Sequence, residues 1–178
     1  MGVYGAATAG ATAATATSWD VLQPHIIGTP GQVPEIIHGL YEANSQSFKA
    51  GSLVYLSSGA VTAAAEGGPI MGIAMKDATN VTSGNIEIPV MVAPLGADWQ
   101  INVANGSGVY EAANTTAVLG GTYDIDNTTA VTKVNKLASD DSTGSQFVVV
   151  GWIYDEDGDI TTLARVRQLP IESQAHSG

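Results

Sequence analysis

The sequence predicts an all-β fold, a small β-barrel or a sandwich built from two related strand-turn-strand units behind an extended N-terminal arm. From Phe48 onward, short runs of alternating apolar and polar residues are bounded by Gly, Asn, Asp and Ser, which is the pattern of strands and tight turns. No long helical period competes with these runs. Their shortness and regular spacing are typical of barrels and sandwiches.

Ten segments carry this strand pattern. They are Leu53–Ser57, Ala60–Ala65, Ile70–Lys76, Ile86–Val92, Trp99–Val103, Gly108–Ala112, Thr122–Asp126, Ala130–Val134, Gln146–Tyr154 and Ile160–Leu169. Trp99 and Trp152 stand in apolar alternation and are expected in the core.

When the strand region is aligned with itself at an offset of seventy residues, similar residues coincide; Gly51, for example, aligns with Gly121. Ala60-Val61-Thr62 then falls on Ala130-Val131-Thr132, and turn-forming dipeptides lie between the strands of both copies. Each copy then has an apolar strand with an internal glycine, and these two strands, which start at Ile70 and Val149, align at an offset of seventy-nine residues. We therefore expect a duplicated unit whose second copy has about nine extra residues in the loop 136–145.

The two copies differ in their apolar faces. Leu53 to Leu56 are apolar on both faces, so this strand is either central or covered by another chain. In the second copy Tyr123 and Ile125 alternate with polar residues, as in a strand with one wet face. These patterns predict that the first copy faces a partner and that the second projects outward.

Five segments follow from this pattern. We expect a flexible Ala/Thr-rich arm (1–18), an extended strap interrupted by Pro and Gly (19–47), a first β unit (48–103), a second β unit (104–170) and a flexible C-terminal tail (171–178). The arm lacks basic residues and an apolar core segment, so we interpret it as mature sequence and not as a leader. The strap is apolar enough to lie along its own domain or along a partner.

Composition excludes several classes of function. The 178 residues contain no cysteine, which rules out disulfides and thiol catalysis, and their net charge is −11, which disfavours nucleic acid and anionic membranes as partners. The sequence has no window of eighteen apolar residues, so we expect no membrane-spanning segment. Since only 13% of residues are charged, the surface is largely small and uncharged, as suits extended protein contacts.

Candidate chemistry is sparse, and we predict neither enzymatic activity nor a cofactor. Asp155, Asp157 and Asp159 could converge on a calcium ion, but their spacing is wrong for an EF-hand, and an acidic hairpin turn is the favoured interpretation. The three histidines lack partners at metal-ligand spacing, and no serine lies in a nucleophile elbow.

Arg165 and Arg167 point to the same side of one predicted strand. A salt bridge to a partner is one interpretation. The favoured one is that their aliphatic stems pack across the hairpin near Phe147 and Val149.

One segment resembles the capsid decoration (cement) proteins of tailed bacteriophages. It runs from Phe48-Lys49-Ala50-Gly51-Ser52-Leu53-Val54-Tyr55-Leu56 through Gly59-Ala60-Val61-Thr62 to Ile70-Met71-Gly72-Ile73-Ala74, and the strong similarity covers Phe48 to Val92. The resemblance implies a β-barrel or β-tulip protein, often a homotrimer, that is made in the bacterial cytoplasm. It would bind the outer capsid surface and clamp major capsid protein subunits together.

Eight apolar residues are the expected contacts to such a partner. They are Tyr4, Trp19, Ile26, Ile27, Ile36, Ile37, Val54 and Leu56. The alternative function is a carbohydrate-binding or adhesin-like β module on a virion or cell surface, which would need exposed aromatic side chains to stack on sugar rings.

Overall fold

The computed structural model describes residues 25–28, 33–80, 82, 86–94, 96–104, 110, 112–126, 136–138 and 146–169. These residues form two β-sheets and one short helix, so the predicted all-β fold class is confirmed. The expected arm, the C-terminal tail, Tyr4 and Trp19 lie outside the described residues.

The described strands are mostly short. They are β1 His25–Gly28, β2 Glu35–Ile37, β3 Tyr41–Glu42, β4 Leu53–Ser57, β5 Ala60–Ala63, β6 Gly72–Ala74, β7 Val90–Val92, β8 Asp98–Ala104, β9 Thr122–Tyr123, β10 Ile125–Asp126, β11 Lys136–Ala138, β12 Phe147–Tyr154 and β13 Ile160–Gln168. The helix, α1, is Ala113–Thr116. β4 has the predicted bounds, whereas the predicted strand Ala130–Val134 lies outside the described residues.

The first sheet has the strand order β2-β7-β6-β4-β5-β3. Its two outer members, β2 and β3, are successive pieces of one chain segment, separated by residues 38–40. β3 pairs in parallel with β5, and β2 pairs antiparallel with β7. One chain segment therefore forms both ends of the strand order. The strap is thus part of the fold, since its residues 35–42 supply two strands of this sheet.

The second sheet repeats this arrangement. Its order is β10-β11-β8-β13-β12-β9, and β9 and β10 are pieces of one segment interrupted at Asp124. β8 takes the place of both β2 and β3, because it pairs antiparallel with β13 and in parallel with β11. β1, from the strap, pairs with β8 as an additional strand.

The duplication is visible in the hydrogen bonds of the turns that precede β4 and β9. The turn 49–52 closes through the Ser52 N–H, which donates to the Lys49 carbonyl, and the turn 118–121 closes in the same way between Gly121 and Val118. The third residue of each turn has a positive φ, 89° at Gly51 and 79° at Gly120, as type II turns require. Gly51 donates to the carbonyl of Ala74, and Gly120 to that of Val149.

The predicted repeat is therefore present, but its register was wrong. Gly51 matches Gly120 and not Gly121, and Ala74 on β6 matches Val149 on β12. The sequence alignment was shifted because Gly120 and Gly121 are adjacent and only backbone geometry distinguishes them.

The extra residues of the second copy lie in its hairpin. In the first copy Ser58 and Gly59 alone join β4 to β5, and both have positive φ, as expected of a two-residue hairpin turn. In the second copy residues 127–135 separate β10 from its partner β11. The expectation of extra residues in 136–145 was wrong, because the return strand begins at Lys136.

Strand pairing sets the boundary between the units. β8 pairs with β13 and β11 of the second sheet, so it belongs with the second copy. We define the first unit as residues 35–92 and the second unit as residues 98–168. The boundary thus falls before Asp98, whereas the sequence placed it after Val103.

Two apolar clusters stabilise the units. One lies inside the first unit and includes Phe48, Val54 and Val90. The other fills the second unit around Trp99, whose ring contacts Phe147 edge-on with 5.9 Å between centroids. Trp99 is fully buried and Trp152 packs partly buried against its cluster, as the alternation predicted.

The units pack directly against each other. Leu53 and Ile73 of the first unit are buried in the cluster of the second. The buried Gln146 side chain accepts a hydrogen bond from Ile125 N–H at 2.8 Å and donates to the carbonyls of Ala65 and Gly68.

β4 is central in its sheet, and its second apolar face is covered by the same chain. This removes the reason for expecting the first copy to face a partner through β4.

The one helix among the described residues has four residues, far short of the length needed to cross a bilayer.

Candidate binding surface

The expected partner contacts divide into buried and exposed side chains. Val54 is fully buried in the first unit, and Leu56 and Ile37 pack against the same cluster. Ile26 packs against the cluster of the second unit. Val54 therefore offers no surface to a partner, because its side chain points into the unit and not out of it. Ile27 and Ile36, each 44% exposed, remain candidates.

Three exposed apolar side chains lie on or next to β2 and β3. Val33, Ile36 and Tyr41 are all exposed, Val33 to 85%. Ile36 and Ile37 divide between the two faces because successive residues of a strand point to opposite sides. We call Val33, Ile36 and Tyr41, together with the main-chain edge of β2, the β2 surface.

Ile36 ends an apolar row that crosses the first sheet. Leu53 lies opposite Ile73, Ile73 opposite Met91, and Met91 opposite Ile36. Leu53 and Ile73 are covered by the second unit, whereas Ile36 is exposed. The row therefore begins inside the protein and ends at its surface.

The main-chain groups of Ile36 point away from the sheet. In an antiparallel ladder, the N–H and C=O of successive residues point alternately to one neighbour and to the other. The Ala74 N–H donates to Ser52 on the β4 side. The main-chain groups of Ile73 are therefore directed towards β7, and those of Met91 towards β6. Val90 and Val92 then face β2, where they pair with Ile37 and Glu35. Ile36 is left with both groups directed outward, and no described strand lies along this edge.

The equivalent edge of the second unit is occupied. Asp98 pairs with Arg167 as Ile36 pairs with Met91, so Asp98 is the counterpart of Ile36. On its other side β8 carries β1, with Gly28 opposite Asp98 and Ile26 opposite Trp99. One unit thus shows which kind of segment the edge of the other can accept.

Asp98 binds both arginines that the sequence singled out. Its carboxylate, 4% exposed, accepts hydrogen bonds from Arg165 Nε at 2.7 Å and from Arg167 Nε at 2.8 Å. Burial alone would raise the pKa of Asp98, but the hydrogen bonds and charges of Arg167 and Arg165 outweigh burial and lower it.

The favoured interpretation of the arginines needs correction. Arg167 lies opposite Val148 and Arg165 opposite Gly151, not beside Phe147 and Val149. The Arg165 stem does lie over Gly151, where a Cβ would be 3.8 Å from it. Their ion pair is internal to the chain because β8 and β13 are neighbours, a pairing that the sequence did not reveal.

The acidic segment forms the predicted hairpin turn between β12 and β13. The Asp155 carboxylate accepts hydrogen bonds from the N–H groups of Asp157 and Asp159, at 3.0 and 2.9 Å, and Gly158 has a positive φ of 86°. Across the described residues, no three acidic or histidine side chains lie close enough together to hold a metal ion. Asp155 therefore acts on the turn backbone, as Asx turns do.

A second exposed apolar set was not predicted from the sequence. Val118 and Leu119 in the turn of the second unit are 66% and 57% exposed, and Val150 on β12 is 37% exposed. Gly120 N–H donates to the carbonyl of Val149, which holds this turn against β12. The first unit has Lys49 and Ala50 in this turn, tied to Asp77 through hydrogen bonds. A correct repeat register would have shown this difference.

Comparison with protein-family models, with curated proteins and with solved structures finds no match to this chain.

Proposed function

We propose that this protein is a structural component of a tailed-phage virion that binds the outer capsid surface, as a homotrimer, and stabilises contacts between major capsid protein subunits. The observation that carries the proposal is that the segment resembling decoration proteins, Phe48 to Val92, lies within one complete unit that the chain then repeats. The repeat extends the resemblance to the second unit at the level of strand pairing. On this proposal the protein acts by binding and not by catalysis.

The residues of the motif have identifiable structural roles. Gly51 supplies the positive φ of the turn, and the two residues Ser58 and Gly59 make the tight hairpin. Gly72 is required by close packing, since a Cβ there would lie 2.1 Å from the Met91 carbonyl oxygen. These positions of the motif are therefore tied to the backbone of the first unit, and this supports the resemblance as one of fold.

A two-unit chain suits a clamp physically. Two units side by side present two sets of exposed apolar residues, the β2 surface and the set Val118, Leu119 and Val150. When several such contacts engage at once on a lattice, their affinities reinforce one another. The net charge of −11 disfavours contact with packaged nucleic acid and fits an external position.

Sedimentation with expanded capsids that lack decoration proteins tests the proposal. The full chain should pellet with such capsids, with saturable stoichiometry, and should pass unretained through a polysaccharide column. Retention on the column without pelleting would overturn the capsid proposal in favour of the carbohydrate-binding alternative.

Deleting residues 2–18 tests the role of the N-terminal arm. If the arm contributes contacts to a neighbouring subunit, capsid affinity should fall while the melting temperature of the free protein is unchanged. Unchanged affinity would remove the arm from the mechanism without affecting the role of the two units.

A further inference from the structure

We propose that the open edge of β2 binds an extended segment of another protein by strand addition, and that this segment carries a lysine or arginine opposite Glu35. The proposal names a surface and the chemistry of its occupant. It does not depend on that occupant being a capsid protein.

The main chain of β2 is open along its outer edge. Both polar main-chain groups of Ile36 point away from β7, and no described strand pairs with them. In strand addition such groups supply the affinity, and side chains on alternate positions supply specificity. Pro34 precedes the strand and shortens the edge, which limits sheet-to-sheet aggregation while leaving Ile36 open.

The corresponding edge of the second unit already carries a strand. At the same position of the second unit, β1 pairs with β8, and Ile26 packs into the cluster around Trp99. β1 contains Ile26-Ile27 after Pro24, as β2 contains Ile36-Ile37 after Pro34. This fold therefore accepts a short apolar strand at the edge, and the first unit has the edge without a described occupant.

The charge around the β2 edge selects a basic occupant. Glu35 is exposed at the start of the edge, and Glu87 lies beyond it beside His38, with 3.5 Å between Glu87 Oε1 and His38 Nδ1. A second copy of this chain paired edge to edge would bring a second Glu35 to these carboxylates. An apolar segment with a flanking basic residue would extend the apolar row beyond Ile36 and pair its charge with the carboxylate of Glu35.

The register of β1 suggests a probe. Gly28 lies opposite Asp98, so a strand bound to β2 in the same register places its position 28 opposite Ile36 and its next position opposite Glu35. The probe is the capped peptide of residues 23–29 with Thr29→Lys, and its matched control is the same peptide with Thr29→Glu. Binding to the full chain is followed by amide chemical shifts in two-dimensional NMR.

The lysine peptide is expected to shift the amides of residues 35–38 and to bind about fivefold more tightly than the glutamate peptide at low salt, as for a solvent-exposed ion pair. In the Glu35→Lys protein the preference should reverse. The Ile36→Pro protein loses the outward N–H and the half-exposed isoleucine side chain, but the pairing of Glu35 and Ile37 with β7 is kept. It should therefore stay folded, with a melting temperature close to that of the wild type, and lose peptide binding.

Three results would overturn the proposal. One is equal binding of the two peptides, and another is a set of shifts confined to other surfaces. The third is a dimer of the unmodified protein in sedimentation velocity that Ile36→Pro abolishes, because a second copy would then be the occupant. If Ile36→Pro fails to fold, Ile36→Lys replaces it, since a lysine on the edge blocks strand addition without a change in backbone.

Discussion

Ile36 and Asp98 occupy the same position in the two units but have opposite environments. Ile36 is exposed beside an open strand edge, whereas Asp98 is buried beneath two arginines and faces β1 across the sheet. The duplication therefore produced two similar scaffolds with different surfaces. One edge is closed by the chain itself, and the other is available to a partner.

Replacing the turn glycines should destabilise both units similarly. Gly51→Ala and Gly120→Ala each place a Cβ on a residue with positive φ, which costs about 1–2 kcal/mol. Gly151→Ala is the matched control, because its added Cβ meets only the Arg165 side chain at van der Waals distance. Urea unfolding measures all three, and a loss at Gly151 as large as at Gly120 would contradict the turn assignment.

Asp98→Asn should lower the free energy of unfolding by about 2 kcal/mol at neutral pH, since it removes the charge from two hydrogen bonds at a buried carboxylate. Asp77→Asn is the control. Its ion pair with Lys49 is exposed and should contribute no more than about 1 kcal/mol.

The Asp98 contribution should depend on pH in a defined direction. Its pKa is lowered in the folded protein, so the stabilisation is present above the unfolded pKa of about 3.9 and is lost as the pH falls through the folded value. The stability difference between wild type and Asp98→Asn should therefore narrow in acid. A difference that stays constant down to pH 2 would show that Asp98 is not held ionised by the arginines.

Gln146 should be the most sensitive polar residue at the contact between the units. Gln146→Leu keeps the volume but leaves Ile125 N–H and two carbonyls without their partner, at a cost of about 2–4 kcal/mol. Gln168→Leu loses the hydrogen bond to the Ile70 carbonyl and should cost about 1 kcal/mol. Equal losses in chemical denaturation would argue against Gln146 as the main polar link.

Chelation should leave the acidic turn unchanged. Asp155 already bonds to the turn backbone, so EDTA is expected to cause no fall in melting temperature, and Asp155→Ala should cost about 1 kcal/mol where Asp157→Ala costs little. A fall in melting temperature with EDTA that calcium reverses would establish a metal site instead.

Much of the fold could be predicted from local patterns. Period-two alternation located β4, β8, β12 and β13, and the repeated glycine turn indicated duplication. Register could not be predicted, because Gly120 and Gly121 are identical in sequence and differ in backbone conformation. The place of β8 was also hidden, since membership of a sheet is decided by long-range pairing and not by the strand's own residues.

The candidate surface was only partly predictable. Ile27 and Ile36 were expected contacts and are exposed, but Ile37 and Val54, chosen on the same apolar character, pack inside the protein. Composition does not reveal which face of a strand is covered. The apolar turn Val118-Leu119 was missed because it precedes a predicted strand and is not part of an alternating apolar and polar pattern.

Electron cryomicroscopy of expanded capsids saturated with this protein is the decisive test of capsid binding. We expect added density on the outer surface, with two similar lobes per chain, and with the first unit nearest the shell through its β2 surface. A capsid map unchanged by saturating protein would contradict this expectation.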